Sequence, residues 1–230
     1  MIAIITPVWN AFNLLQECCD AIDANTTNPY LHILVDDNSD SMPPIPVTPH
    51  RFVLALRNDV YGHQVHIGKS LQIGYRFAQD FVNFDHLFIC ESDVYVPKNW
   101  DQDLIDALKV NKHVGTVDIT PVDVNNVRTY PCNVNYGIGK DGILEELRYA
   151  DLNACVFNPK LLDGTWGFGD FPSHHDILLS RVWAEKGFKF YRHGGINAFH
   201  HTSGSRSLLK ETNPGQLFER DVKYGTHSTI

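Results

Sequence analysis

Leu87-Phe88-Ile89-Cys90-Glu91-Ser92-Asp93-Val94 is an apolar run that ends abruptly in two carboxylates. Four consecutive apolar residues read as a strand buried on both faces. Side chains alternate along a strand, so Glu91 and Asp93, two apart, are expected to point the same way. Carboxylates that converge at the end of a buried strand repel one another unless something positive sits between them. Ligands of open α/β sheets gather at the C-terminal strand ends, and a divalent cation carrying a substrate's phosphates would supply that positive charge. Taken alone, the segment reads equally well as an ordinary acidic loop after a strand.

The flanking sequence alternates strand and helix patterns. Ile2-Ala3-Ile4-Ile5-Thr6-Pro7-Val8-Trp9-Asn10 reads as a strand closed by proline. A helix over about Asn13 to Asn25 follows, with Leu14, Leu15, Cys18, Cys19 and Ile22 as its apolar stripe. His32-Ile33-Leu34-Val35 is a second strand and runs straight into Asp36-Asp37-Asn38-Ser39-Asp40. Met42 to Pro49 is too rich in proline for regular structure and leads to a short strand, Phe52 to Leu56. A helical pattern starts at Gly68 and continues through Leu71, Ile73, Phe77 and Phe81. After the acidic segment, Pro97 is expected to open a helix carrying Trp100, Leu104, Ile105 and Leu108. Strands are expected over His113 to Ile119, Ala154 to Phe157 and Phe188 to Arg192, with a helix over Ser173 to Lys186. Residues 120 to 150 carry several prolines and glycines and show less regularity.

Strand, helix, strand ending in Asp-Asp-Asn-Ser, then a strand ending in acid-x-Asp: this order resembles the GT-A glycosyltransferases, specifically the family 2-type group. Gly167-Phe168-Gly169-Asp170, then His174-His175-Asp176, Arg181 and Gly187, and finally Phe199-His200-His201-Thr202-Ser203-Gly204-Ser205, are similar to later landmarks of that family. The resemblance extends over about residues 2 to 205. It implies one GT-A domain, a Rossmann-like α/β fold with a mixed, mostly parallel sheet flanked by helices. The donor half is expected over about 1–112, the acceptor half over about 113–205, and a C-terminal tail over 206–230.

By the same resemblance the first two strand ends would hold an activated sugar's nucleotide, with Pro7, Val8 and Asn10 framing base and ribose. Asp36 or Asp37 would accept from the base or sugar, Asp36 being preferred; otherwise the Asp-Asp-Asn-Ser segment only caps its strand and turns the chain. Gly68 and Lys69 match a helix entrance near the pyrophosphate, where exposed N–H groups favour phosphate oxygens. Glu91 and Ser92 complete the donor set. Asp93 matches the dependable acid of an Asp-x-Asp motif, while Glu91 replaces its first aspartate. His200 and His201 match the position of an imidazole ligand, and together these residues suit Mn²⁺ or Mg²⁺. For an inverting transfer one carboxylate must accept the acceptor hydroxyl's proton. Asp176 is the candidate base, with Asp170 in reserve and His175 standing where relatives carry glutamate. Trp166 and Phe168 are aromatic surfaces for a sugar, or core.

The implied activity is a metal-dependent hexosyl- or pentosyltransferase using a nucleotide-sugar, UDP-sugars foremost. The acceptor is open between a glycan, a protein side chain, a lipid-linked sugar and, as in compact phage enzymes, a hydroxymethylated DNA base. A nucleotidyltransferase would want a glycine- and arginine-rich loop where Pro7-Val8-Trp9-Asn10 stands. A noncatalytic nucleotide-sugar-binding module also accounts for the altered Glu91 and His175 positions. The net charge of -8 opposes a nonspecific electrostatic hold on nucleic acid, although Lys69, Arg76, Arg181, Lys186, Lys189, Arg192, Arg206 and Lys210 could form local basic patches. No run is apolar and long enough to span a membrane, and the first strand starts at residue 2, so a cytoplasmic location is expected, that of a host if the protein is viral. The five cysteines lack metal-like spacing and are expected as buried free thiols in a reducing compartment.

Overall fold

The apolar runs of the first half become parallel strands with helices between them. A computed structural model describes residues 1–10, 12–56, 67–110, 112–122, 134–138, 144–162, 168 and 175–200. Its first elements are β1 (Ile2–Val8), α1 (Phe12–Asn25), β2 (Tyr30–Asp37), β3 (Arg51–Leu56), α2 (Ile67–Phe81) and β4 (His86–Cys90). Then come β5 (Val94–Tyr95), α3 (Trp100–Leu108), β6 (Val114–Val122), β7 (Val134–Ile138) and β8 (Leu144–Leu147). β9 (Ala154–Phe157), a short 3₁₀ turn at Pro159–Leu161, α4 (His175–Glu185) and β10 (Lys189–His200) complete the order.

All strands join one sheet in the order β3-β2-β1-β4-β9-β6-β10-β8-β7, with β5 added to β10. β3, β2, β1 and β4 are mutually parallel, as are β6 and β10. β9 runs antiparallel between β4 and β6, and β8 runs antiparallel to both β10 and β7. This is the mixed α/β sheet flanked by helices that the sequence leads one to expect.

β1 shows how the sequence builds two layers at once. Ala3 and Ile5 face a core shared with Leu71, Tyr75 and Ala78 of α2 and Leu179 and Trp183 of α4. Ile2 and Ile4 face the opposite core, with Cys18 and Ile22 of α1 and Trp100 and Leu104 of α3. A strand apolar on both sides, covered by helices on both faces, is the doubly wound arrangement. Pro7 does not close the strand but lies inside it, past the last β1–β4 pair of Ile5 with Ile89, where a missing N–H is tolerated.

Three details differ from expectation. α3 starts at Trp100 rather than at Pro97, after Asn99 with its left-handed φ of 60°. β10 runs on to His200, far beyond Arg192, with a register shift against β6 between His193 and Asn197. α2 buries Gly68, Ser70, Leu71, Gly74, Tyr75 and Ala78, leaving Phe81 exposed and Phe77 half-buried. Small residues let α2 lie close on the sheet, while Phe77 and Phe81 stack with each other and against Phe52 of the edge strand β3.

The core also holds an ionic network. His32 of β2 is fully buried, its Nε2 3.0 Å from Thr6 Oγ1 on β1. Its Nδ1 accepts from Arg51 Nε of β3 at 3.3 Å, which requires a neutral ring. Arg51 in turn donates to the Asp23 carboxylate and the Cys19 carbonyl of α1. Burial, reinforced by Arg51 and His50, holds His32 well below the ordinary imidazole value of 6.5.

The unfolded chain accepts a proton on His32 near its ordinary pKa and the folded protein does not. The unfolded state therefore binds more protons as pH falls, and stability drops with it. Urea midpoints should fall between about pH 6.5 and about pH 5, and His32→Gln should flatten that slope while lowering stability at neutral pH. An unchanged slope in the variant would assign the acid sensitivity elsewhere. A Cβ on Gly74 would stand 2.7 Å from Ile5 Cγ2 and 3.0 Å from Val35 Cγ2, both fully buried side chains. Gly74→Ala should lose stability in chemical denaturation: overpacking costs about 1–3 kcal/mol, against a helix-propensity gain of about 1 kcal/mol.

Candidate active site

Strand alternation does not bring Glu91 and Asp93 together, because β4 ends at Cys90. The chain instead folds into a turn closed by the Val94 N–H on the Glu91 carbonyl at 3.2 Å. β5 then pairs antiparallel with the end of β10, Val94 opposite His200 and Tyr95 opposite Phe199. That register sets His200 beside Asp93. His200 Nε2 lies 3.6 Å from Asp93 Oδ1 and 3.8 Å from Glu91 Oε2.

One ligand atom each from Glu91, Asp93 and His200 lies within 4.8 Å of the others, at the C-terminal end of β4. His200 and Asp93 are buried and Glu91 is partly exposed. Burial pushes the Glu91 carboxyl up, opposed by His200. Burial alone would lower His200, but Glu91 and then Asp93 outweigh it and hold the imidazole above 6.5. The pocket is thus tuned for positive charge. Two carboxylates and an imidazole fit a divalent cation, since ligand atoms on one such ion at about 2.2 Å stand about 3 to 4 Å apart. His201 lies outside the described residues.

The ends of β1 and β2 are stitched together beside this turn. The Asn10 N–H donates to Ser39 Oγ at 2.8 Å, and the Asp40 N–H donates to Asn10 Oδ1 at 3.1 Å. Asn10 and Asn38 have φ of 53° and 64°, left-handed conformations that asparagine tolerates. Pro7, Val8, Asp36 and Asp37 are buried, and Asp36 Oδ1 accepts from the Ser39 N–H at 3.3 Å. That bond is the turn-capping role weighed for the Asp-Asp-Asn-Ser segment. Ser92 is partly exposed within the Glu91–Val94 turn. Gly68 is buried and Lys69 exposed in the first turn of α2.

Asp176 stands half-buried in the first turn of α4. Asp170, Trp166 and the His175 side chain lie outside the described residues. Phe168 is core: it is fully buried, meets Tyr75 and Phe157 edge-on, and its N–H donates to Gln72 Oε1 at 2.7 Å. Arg192 belongs to no surface patch, being buried against Asp151 at 3.1 Å.

Asp151, Asp118 and Arg192 are the site's neighbours that sequence reasoning missed. Asp118 and Arg192 face each other across the β6–β10 pairing, and the Asp151 N–H donates to Asp118 Oδ2 at 2.7 Å. Burial, then the Asp151 charge, pushes Asp118 well above the usual carboxylate range. The available signal was an acid inside the apolar run Val117-Asp118-Ile119. Asp151 gives less away, since it matters only because β9 runs antiparallel to β4 and so begins where β4 ends.

No protein-family model matches the chain, and no curated protein matches it in sequence. Solved structures match it in shape. TarS of S. aureus, residues 1–349, aligns at a TM-score of 0.63 and 14% identity, over 92% of this chain and 63% of that one. GalNAc-T7, solved with UDP, GalNAc and Mn²⁺, aligns at 0.61 and 12% identity, over 87% of this chain and 43% of its own. The mannosyltransferase PcManGT of Pyrobaculum calidifontis, solved with GDP-Man and Mn²⁺, aligns at 0.62 and 15% identity, over 100% of this chain and 65% of its own. The chain thus spans 43% to 65% of the length of these proteins. At such identities the likeness speaks for architecture, and the architecture is the GT-A fold of glycosyltransferases.

Proposed function

We propose that the protein is a metal-dependent glycosyltransferase that moves a sugar from a nucleotide-sugar to an acceptor hydroxyl. The observation that carries this reading is the Glu91–Asp93–His200 triad at the C-terminal end of β4 in a GT-A sheet. Structures of similar shape carry UDP, UDP-GlcNAc or GDP-Man, two of them with Mn²⁺, which supports a nucleotide diphosphate donor and a divalent ion. The imidazole in the donor set favours Mn²⁺ over Mg²⁺.

In this reading Pro7, Val8, Asn10, Asp36 and Asp37 frame the nucleoside, while Gly68, Lys69, Glu91 and Ser92 lie along the diphosphate. Asp93 and His200, with Glu91, hold the cation. Its chemistry would be neutralisation of the departing diphosphate's charge. Asp176 takes the proton of the acceptor hydroxyl as that oxygen attacks the anomeric carbon. The bond from that carbon to the diphosphate breaks, its electron pair leaves with the phosphate oxygen, and the configuration inverts. The acceptor remains a choice among a glycan, a protein, a lipid-linked sugar and a hydroxymethylated DNA base.

Nucleoside diphosphate release from a panel of UDP- and GDP-sugars should depend on Mn²⁺ and stop with EDTA. Asp93→Asn and His200→Ala should each lower release by at least about 100-fold and weaken Mn²⁺ binding measured by titration. Asp176→Asn should lower turnover by about 10²–10⁴ while donor affinity is retained. Donor binding without release in the wild type, across donors and acceptors, would instead favour the noncatalytic binding module.

A further inference from the structure

The residues leading into β9 bring one more carboxylate to this site. Cys90 of β4 pairs with Ala154 of β9, so Asp151 to Asn153 arrive at the sheet end where β4 delivers Glu91. The Glu91 N–H donates to the Asn153 carbonyl at 2.7 Å and joins the two segments. From the other side α4 fastens the same loop, the Ala150 N–H donating to the buried Ser180 hydroxyl at 2.9 Å.

Asp151 is anchored from beneath and open above. Its Oδ2 receives Arg192 Nη2 at 3.1 Å, and the Asn153 N–H adds a second bond to the carboxylate. The Asp151 side chain is 24% exposed against 3% for Arg192, so the carboxylate is the part of the pair that reaches solvent. Its charge is felt by Asp176, His200 and Glu91. Asp118 stands opposite Arg192 in register, but burial holds its carboxyl well above the usual range, so Asp151 is the carboxylate that pairs with Arg192.

In a transfer reaction the sugar must span the gap between the metal-bound diphosphate and the base. Asp151 stands on the loop that Asn153 ties to Glu91 and that Ala150 ties to Ser180, one turn along α4 from Asp176. A carboxylate offers about four lone-pair sites, so one engaged by Arg192 and Asn153 can still accept from a hydroxyl. We propose that Asp151, held by Arg192, accepts a hydrogen bond from a hydroxyl of the transferred sugar and so sets donor-sugar specificity. This inference rests on the transferase reading.

The test is calorimetric titration, with Mn²⁺ present, of UDP and GDP and of UDP-GlcNAc, UDP-glucose, UDP-galactose and GDP-mannose. Wild type, Asp151→Asn and Asp151→Glu are compared, with thermal midpoints recorded. Asp151→Asn keeps an acceptor for Arg192, and Asp151→Glu keeps the charge but advances it by one methylene. Both should weaken binding of the preferred nucleotide-sugar about ten- to hundredfold and leave the bare diphosphate within about twofold, since losing a charged acceptor costs a site that much. If Asp151→Asn does not fold, Asp151→Glu decides alone. Equal loss of diphosphate and nucleotide-sugar, or no loss of either, would overturn the sugar contact. So would a wild type that binds diphosphates but none of the sugars. A wild type that binds no nucleotide at all would remove the transferase reading, and the sugar contact with it.

Discussion

The site depends on a strand pairing only two residues long. Val94 and Tyr95 add to the end of β10, and this contact alone sets His200 beside Asp93. β10 can reach that far because it changes register against β6 between His193 and Asn197 instead of stopping at Arg192. Its N-terminal half is held on both sides, by β6 and β8, and its C-terminal end pairs with β5. A central strand therefore carries His200 to the Glu91–Asp93 turn. A side chain so held is positioned more accurately than one delivered by a loop alone.

Charge organises the surroundings of this pairing. Glu91, Asp93, Asp118, Asp151 and Asp176 interact here, with Arg192 and His200 as cationic partners among them. Burial raises the cost of negative charge on Glu91, Asp118 and Asp151, and a cation beside them would offset it. The same chain handles buried charge differently around β2. There His32 stays neutral, and Arg51 is matched by Asp23 at the boundary of α1. The first arrangement leaves an excess of carboxylates; the second pairs its charges and joins β1, β2 and β3 to α1.

Much of the fold was legible. β1, β2, β4 and β9 are short apolar runs bounded by polar residues, and α1 buries Leu14, Leu15, Cys18, Cys19 and Ile22 as its periodicity implies. Cys18, Cys19, Cys90 and Cys155 are buried free thiols, as expected. What escaped was decided by partners rather than by pattern. β5 is too short to carry a period, and Gly194-Gly195 makes the second half of β10 look like a loop until β6 is beside it. α2 lays Gly74 on Ile5 and Val35 at the centre of the sheet and leaves Phe77 and Phe81 to the edge strand, against Phe52. Glu91 and Asp93 converge, but through a turn and not through strand alternation.

The acidic segment alone left Glu91 and Asp93 open between a loop and a site, and it was the resemblance to the GT-A family that joined them with His200 and His201. Their meeting, and the presence of Asp151, Asp118 and Arg192 around them, depends on which strands lie side by side and in which direction. Hydrophobic periodicity is a short-range property and states which face of an element is buried. Sheet order and register are long-range properties, set by the joint packing of two helical layers against one sheet. No single segment contains them.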